Sequence, residues 1–421
     1  MSDASIRRKQ MLLHETADVY LTLAQAKEIK METGMNLTLK SLAAFIVALS
    51  LPLAHAATAA GEIPPAQQSA AAHVMQKEVA SAVYELAYSP THNDLFVLAP
   101  VRFDDLKSGK KPQVIILNGD MLALEGAYDL PAPGFGVVLD DSSNTLYIGT
   151  GDASVIAWDT VAHKVKGEVK LAGPGKEINK ASGKPYPTHS LRQLWLDTSN
   201  QRLYIPGLSW KGSVLYVIDT KTFSLVKTVE GMGSMPTGIA QEPNGGDIFL
   251  TNWQHEMIVV DSRTLTVKKR FAITTDQPLF LAWNAERKEI LGVDEGMEKI
   301  YGMLKQQAEE SGKTYQPTSS GSALVVLDPE SGKTRRTIPT GKYPIAVKVD
   351  DKAGRVYVTG RGDGTVSVYS TRDYRLLNKV TLGAAPNSIA INPEQGSIFV
   401  SIKRGEEDKK ADKEKVAKIG F

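Results

Sequence analysis

From His73 to the C-terminus the chain alternates short apolar runs with short polar breaks, and one unit returns seven times. Each unit has an apolar run, a second run centred on an aromatic, a third ending in Asp or Ser, and a fourth. Polar turns separate them. The second runs read LFVLA (95–99), LYIGT (146–150), LYIPG (203–207), IFLTN (248–252), ILGVD (290–294), VYVTG (356–360) and IFVSI (398–402). Their second positions are Phe96, Tyr147, Tyr204, Phe249, Leu291, Tyr357 and Phe399, spaced by 51, 57, 45, 42, 66 and 42 residues. A basic period near 42, lengthened by insertions, is the length of a four-stranded propeller blade. The runs are Val-, Ile- and Tyr-rich and apolar on both alternating sides, as strands sandwiched between neighbouring sheets must be.

This pattern predicts an all-β chain, a seven-bladed β-propeller of four-stranded antiparallel blades. The seventh unit is short: after IFVSI comes the charged run KRGEEDKKADKEK (403–415) and then only VAKIGF (416–421), enough for a third strand. The stretch HVMQKEV (73–79) has no blade of its own and resembles the fourth strands elsewhere. It is predicted to complete the last blade and so remove an exposed sheet edge. Insertions fall at 173–188 and at 296–321, the second carrying Met297, Ile300, Met303 and Leu304 at helical spacing. In the sixth unit, Arg361-Gly362-Asp363-Gly364 joins two strands. It is predicted to be a turn with Gly362 and Gly364 at positive φ, not an adhesion or metal motif.

The first residues read differently. At 35–56, Lys40 precedes an apolar run (42–53) and the small residues Ala54-His55-Ala56, the layout of a cleavable secretory signal. Residues 1–34 are polar and sit ahead of that signal, as expected of a non-native or mis-assigned start with Met35 the initiator. Residues 57–72 read as a flexible linker, and 73–421 as the propeller. This layout predicts a periplasmic protein with no integral membrane segment after cleavage.

VYVTG followed by VSVYST, LYIGT by VIAWDT and IFLTN by MIVVDS resemble YVTN-type β-propeller repeats. From residue 73 to 421, with its signal and closing strand, the chain is similar to the YncE-like periplasmic propellers. The resemblance implies the fold and fixes no activity. Such propellers include relatives of sugar-lactone hydrolases and members that bind single-stranded DNA.

The formal net charge of +2 commits the chain to neither nucleic acid nor membrane, so such a partner needs a local patch. The absence of cysteine excludes disulfides, thiolate metal sites and cysteine nucleophiles. Propeller topology puts the loops between strands two and three on the same face as the loops leading into strand one. That upper face gathers the candidate ligand-binding residues Trp210, Lys211, Trp253, His255, Arg192, Arg361, Lys403 and Arg404. Tryptophans beside cations suit a polyanion with flat groups, because rings stack on bases while cations meet phosphates. The expected function is a monomeric binding module for single-stranded DNA or another extended anion. The alternatives are a hydrolase or lyase of small cyclic esters, with His255 or His189 as base, and a protein-interaction scaffold. No catalytic residue is assigned: no nucleophile elbow or phosphate-binding glycine loop appears, and His255-Glu256 lacks the second His of a zinc motif. Neither metal nor cofactor is expected.

Overall fold

The computed structural model describes residues 71–102, 105, 109–178, 185–310, 312, 314–405 and 411–421. The expected extension and signal segment, and most of the linker, lie outside the described residues. Seven antiparallel sheets follow one another around a ring. Blade 1 is Leu86–Ser89, Asp94–Ala99, Gln113–Asn118 and Leu124–Asp129, and blade 2 is Gly134–Asp140, Thr145–Thr150, Ser154–Asp159 and Lys164–Lys170. Blade 3 has its inner strand in two pieces, Ser190–Leu191 and Trp195–Asp197, followed by Arg202–Leu208, Val214–Asp219 and Ser224–Val229. Blade 4 is Gly238–Gln241, Ile248–Asn252, Glu256–Asp261 and Thr266–Ala272. Blade 5 is Pro278–Asn284, Glu289–Asp294, Ala323–Leu327 and Thr334–Pro339, with the helix α1 (Glu298–Glu310) inserted after its second strand. Blade 6 is Pro344–Asp350, Arg355–Gly360, Thr365–Ser370 and Leu376–Thr381. Blade 7 is Ala385–Asn392, Ser397–Lys403 and Glu414–Gly420, completed by His73–Ala80. The insertion before blade 3 forms a separate hairpin, Pro174–Ile178 with Pro185–Pro187.

Period-two alternation explains the packing. In the second strand of blade 1, Leu95, Val97 and Ala99 face blade 7 residues such as Phe399 and Val416. Phe96 and Leu98 point the other way, against Leu146, Ile148, Ile156 and Trp158 of blade 2. Further apolar layers lie between blades 2 and 3, 3 and 4, and 4 and 5, and one continuous cluster joins blades 5, 6 and 7. Each fully buried Leu, Ile, Val or Phe contributes about 1.5–3 kcal/mol relative to exposure. The outermost strands, such as Lys164–Lys170 and Ser224–Val229, are mostly exposed and carry Lys.

The ring closes as the sequence predicts. His73–Ala80 runs antiparallel to Glu414–Gly420, from His73 opposite Gly420 to Lys77 opposite Val416. Across the seam the Glu414 carboxylate accepts the Val83 N–H at 2.7 Å. The Gln76 amide donates to the Leu382 carbonyl at 3.0 Å. The RGDG turn differs in one detail: Gly364 has φ +69°, but Gly362 is not in the left-handed region. Gly362 is there for closeness, since a Cβ would lie 2.6 Å from the Tyr343 ring.

Deleting residues 1–80 leaves Glu414–Gly420 as an open edge. Melting should occur several degrees lower and light scattering should show concentration-dependent association; a monodisperse deletion variant with unchanged melting would refute the closure.

Candidate functional site at the channel mouth

The second strand of each blade ends on the upper face. The residue four beyond its aromatic position lies on the same side of the strand as that aromatic. Around the ring these residues are Pro100, Gly151, Leu208, Trp253, Glu295, Arg361 and Lys403. The last four, on consecutive blades, are buried, and three of them are ionisable: Glu295 is 0 % exposed, Arg361 8 % and Lys403 2 %.

These groups converge with residues from other blades. The Lys403 ammonium sits 4.4 Å from the centre of the Tyr84 ring, in the loop leading into blade 1. Arg192, in the break of the blade 3 inner strand, donates from Nη1 to the Tyr84 hydroxyl, and its guanidinium lies 5.1 Å from the centre of the Phe135 ring. Glu85 accepts the Ser388 hydroxyl at 2.7 Å, and Lys348, Lys403 and Arg192 act on its charge. Arg361 is braced by its turn: its N–H donates to Tyr343 O at 3.0 Å, and the next N–H, of Gly362, to Lys342 O at 2.7 Å. Three candidate cations, Arg192, Arg361 and Lys403, therefore share one electrostatic neighbourhood.

This neighbourhood is costly. Lys403 Nζ and both carboxylate oxygens of Glu295 are buried with no hydrogen-bond partner among the described residues. Burial pulls the Lys403 amine down to about 7, with Arg361 and Arg192 adding to the fall and Glu414 opposing it. Burial likewise pushes the Glu295 and Glu85 carboxyls up to about 7, and holds Lys348 below the usual lysine range.

The other candidates lie elsewhere. Trp253 is 5 % exposed and meets Trp210 edge-on, ring centres 5.4 Å apart. Both belong to the large apolar cluster that also holds Met297 and Ile300, Met303 and Leu304 of α1. With Trp253 buried in this way, its face is not open for stacking. Lys211 and Trp210 line a cavity of about 400 Å3 between blades 3 and 4, with Gln254, Glu256 and Arg270. Arg404 is tied to the third strand of blade 7: its N–H donates to Glu414 Oε1 at 3.1 Å and its Nη1 to Ala411 O at 3.3 Å.

His255 Nε2 lies 3.2 Å from the Asp276 carboxylate. Asp276 is fully buried and also accepts the N–H and hydroxyl of Thr318 and of Ser319, at 2.8–3.0 Å. The group is a clasp that fastens the blade 5 insertion to the ring. Both nitrogens of His189 are engaged, by Tyr216 OH at 2.6 Å and Gly212 O at 3.1 Å. Among the described residues no cluster of His, Asp and Glu has metal-binding geometry.

Sequence reasoning did not single out Tyr84, Glu85, Lys348 or Glu295. Glu295 was findable, as the preceding blade's equivalent of Arg361. So was Lys348, which stands opposite Tyr357 where Ala87, Ala240, Ala282 and Ala390 stand opposite their own strand-two residues.

Two outcomes follow. Asp276→Ala should cost about 2–4 kcal/mol and speed amide exchange at residues 314–322; unaltered exchange there would refute the clasp. Lys403→Met should stabilise the fold by about 1–4 kcal/mol at neutral pH. The Lys403 pKa falls from 10.5 to about 7 on folding, so unfolding takes up a proton between these values. The stabilisation should be full below pH 7 and gone above 10.5, read from denaturant midpoints.

No protein-family model matches the chain. It is 25% identical over 337 residues to the uncharacterized protein YncE of Salmonella typhi and equally to that of Salmonella typhimurium, covering 80% of this chain and 86% of each relative. It is also 25% identical, over 336 residues, to YncE of Escherichia coli (strain K12), with the same coverage. Among solved structures, the Kuenenia stuttgartiensis hydrazine synthase superposes with a TM-score of 0.60 at 14% identity, over 81% of this chain and 96% of that one. That likeness is one of fold.

Proposed function

We propose that this chain, a YncE-like seven-bladed β-propeller, is a binding module that holds an oxyanion at the mouth of its channel. The supporting observation is the convergence of Arg192 and Lys403 onto Tyr84 and Glu85, with Arg361 of a third blade acting on Tyr84 and Lys403. A phosphate or carboxylate entering this neighbourhood meets two guanidiniums, whose planar forks suit bidentate contacts. It also supplies an acceptor that the Lys403 amine lacks among the described residues. Either a phosphate of single-stranded DNA or a compact acid has this chemistry. The buried Trp253 favours contacts through the oxyanion over base stacking on the tryptophans. We place the module in the periplasm on the strength of the apolar run at 42–53 and its Ala-His-Ala boundary. No helix among the described residues is long and apolar enough to cross a membrane.

Calorimetric titration of the protein with sulfate, succinate and a short thymidine oligonucleotide, at two salt concentrations, tests the reading. At least one probe should bind, and Arg192→Ala or Arg361→Ala should each weaken it about tenfold or more. An affinity that falls steeply with salt for the oligonucleotide alone identifies a polyanion. Full binding by both variants overturns the site.

A further inference from the structure

We infer that the channel-mouth site takes up a proton with each anion it binds, so that its ligand is held in effect as a weak acid. This rests on the oxyanion reading above and adds the condition under which the site fills.

The argument begins with what surrounds Lys403. From its own blade come Glu414 and Arg404, from blade 6 Arg361, from the break in the blade 3 inner strand Arg192, and from the loop leading into blade 1 Tyr84 and Glu85. The nearest aromatic offers a ring face, and Glu414 is already engaged by the N–H groups of Val83 and Arg404. Among the described residues the amine itself has no hydrogen-bond acceptor. Desolvated and flanked by guanidiniums, it holds its proton weakly when no anion is bound, with its pKa at about 7. Glu295, under the opposed electrostatic influence of Arg361 and Asp294, has no donor on either oxygen among the described residues, and burial favours its neutral form also. Glu85 has the Ser388 hydroxyl and the same burial, opposed by Lys348, Lys403 and Arg192.

A negative charge placed among these groups acts on all three in one direction. It stabilises the ammonium of Lys403 and disfavours the carboxylates of Glu85 and Glu295, so each gains proton occupancy. Uptake by one group need not be cancelled by release from another, because the signs agree. By linkage, affinity must then rise on acidification through neutrality. A site of guanidiniums alone would show no such slope.

The test uses anions whose own charge is constant over the range, sulfate and the phosphodiester oligonucleotide. Titrated from about pH 6 to about pH 9, whichever binds should weaken by about tenfold per pH unit above neutrality for one proton taken up. Calorimetry in two buffers of different ionisation enthalpy should return an uptake near one proton. Lys403→Arg, which keeps the charge and cannot release it, should flatten the profile and lower the proton count. Where that variant does not fold, the wild-type count decides alone. Binding that is flat in pH, with a proton count near zero, overturns this inference and leaves the oxyanion site standing. No binding by either anion, or by succinate, at any pH overturns both.

Discussion

Every central strand of this molecule is apolar on both sides, and that one constraint organises the rest. A sheet whose two faces both need covering cannot stand alone or end a row. Blade 1 shows it residue by residue, with Phe96 and Leu98 committed to blade 2 and Leu95 and Val97 to blade 7. The row has to become a ring, and the ring needs a last strand, which His73–Ala80 supplies. Charged and polar side chains are left with the outer strands, the turns and the inner rim.

The architecture was legible because the constraint is local: it repeats with each second run, whatever the insertions between. Closure was legible as well, from a strand too few at one end and one too many at the other. The candidate site was legible only in part. Topology sent Arg192, Arg361 and Lys403 to one face, but their meeting depends on Tyr84, 319 positions before Lys403 in the chain, and on how deep each second strand ends. Trp253 shows the limit. Its loop is on the upper face as expected, yet its side chain is buried edge-on to Trp210, in the apolar cluster that also holds Met297 and residues of α1. Gly362 shows another: the turn was read correctly, and the need for glycine came from the Tyr343 ring in a separate loop.

The channel mouth departs from the apolar logic of the blades. Lys403 and Glu295 occupy positions where Leu208 and Trp253 sit in blades 3 and 4, and where an apolar side chain would cost nothing. Buried ionisable groups without partners are the pattern of a site that trades stability for a task. The Asp276 clasp is the opposite case. Its carboxylate is saturated with donors, and its burial fastens an insertion in place.

The seam has a consequence for the order of events during synthesis. Glu414 holds Val83, the neighbour of Tyr84, and Lys403 comes from the same final blade. The cation cluster is thus built from the first and last parts of the propeller and cannot exist on a nascent chain that still lacks its C-terminal strand. Ligand occupancy would stabilise only finished rings, adding its binding free energy to closure and to nothing earlier. The mouth of the channel is in this sense a record that the circle is complete.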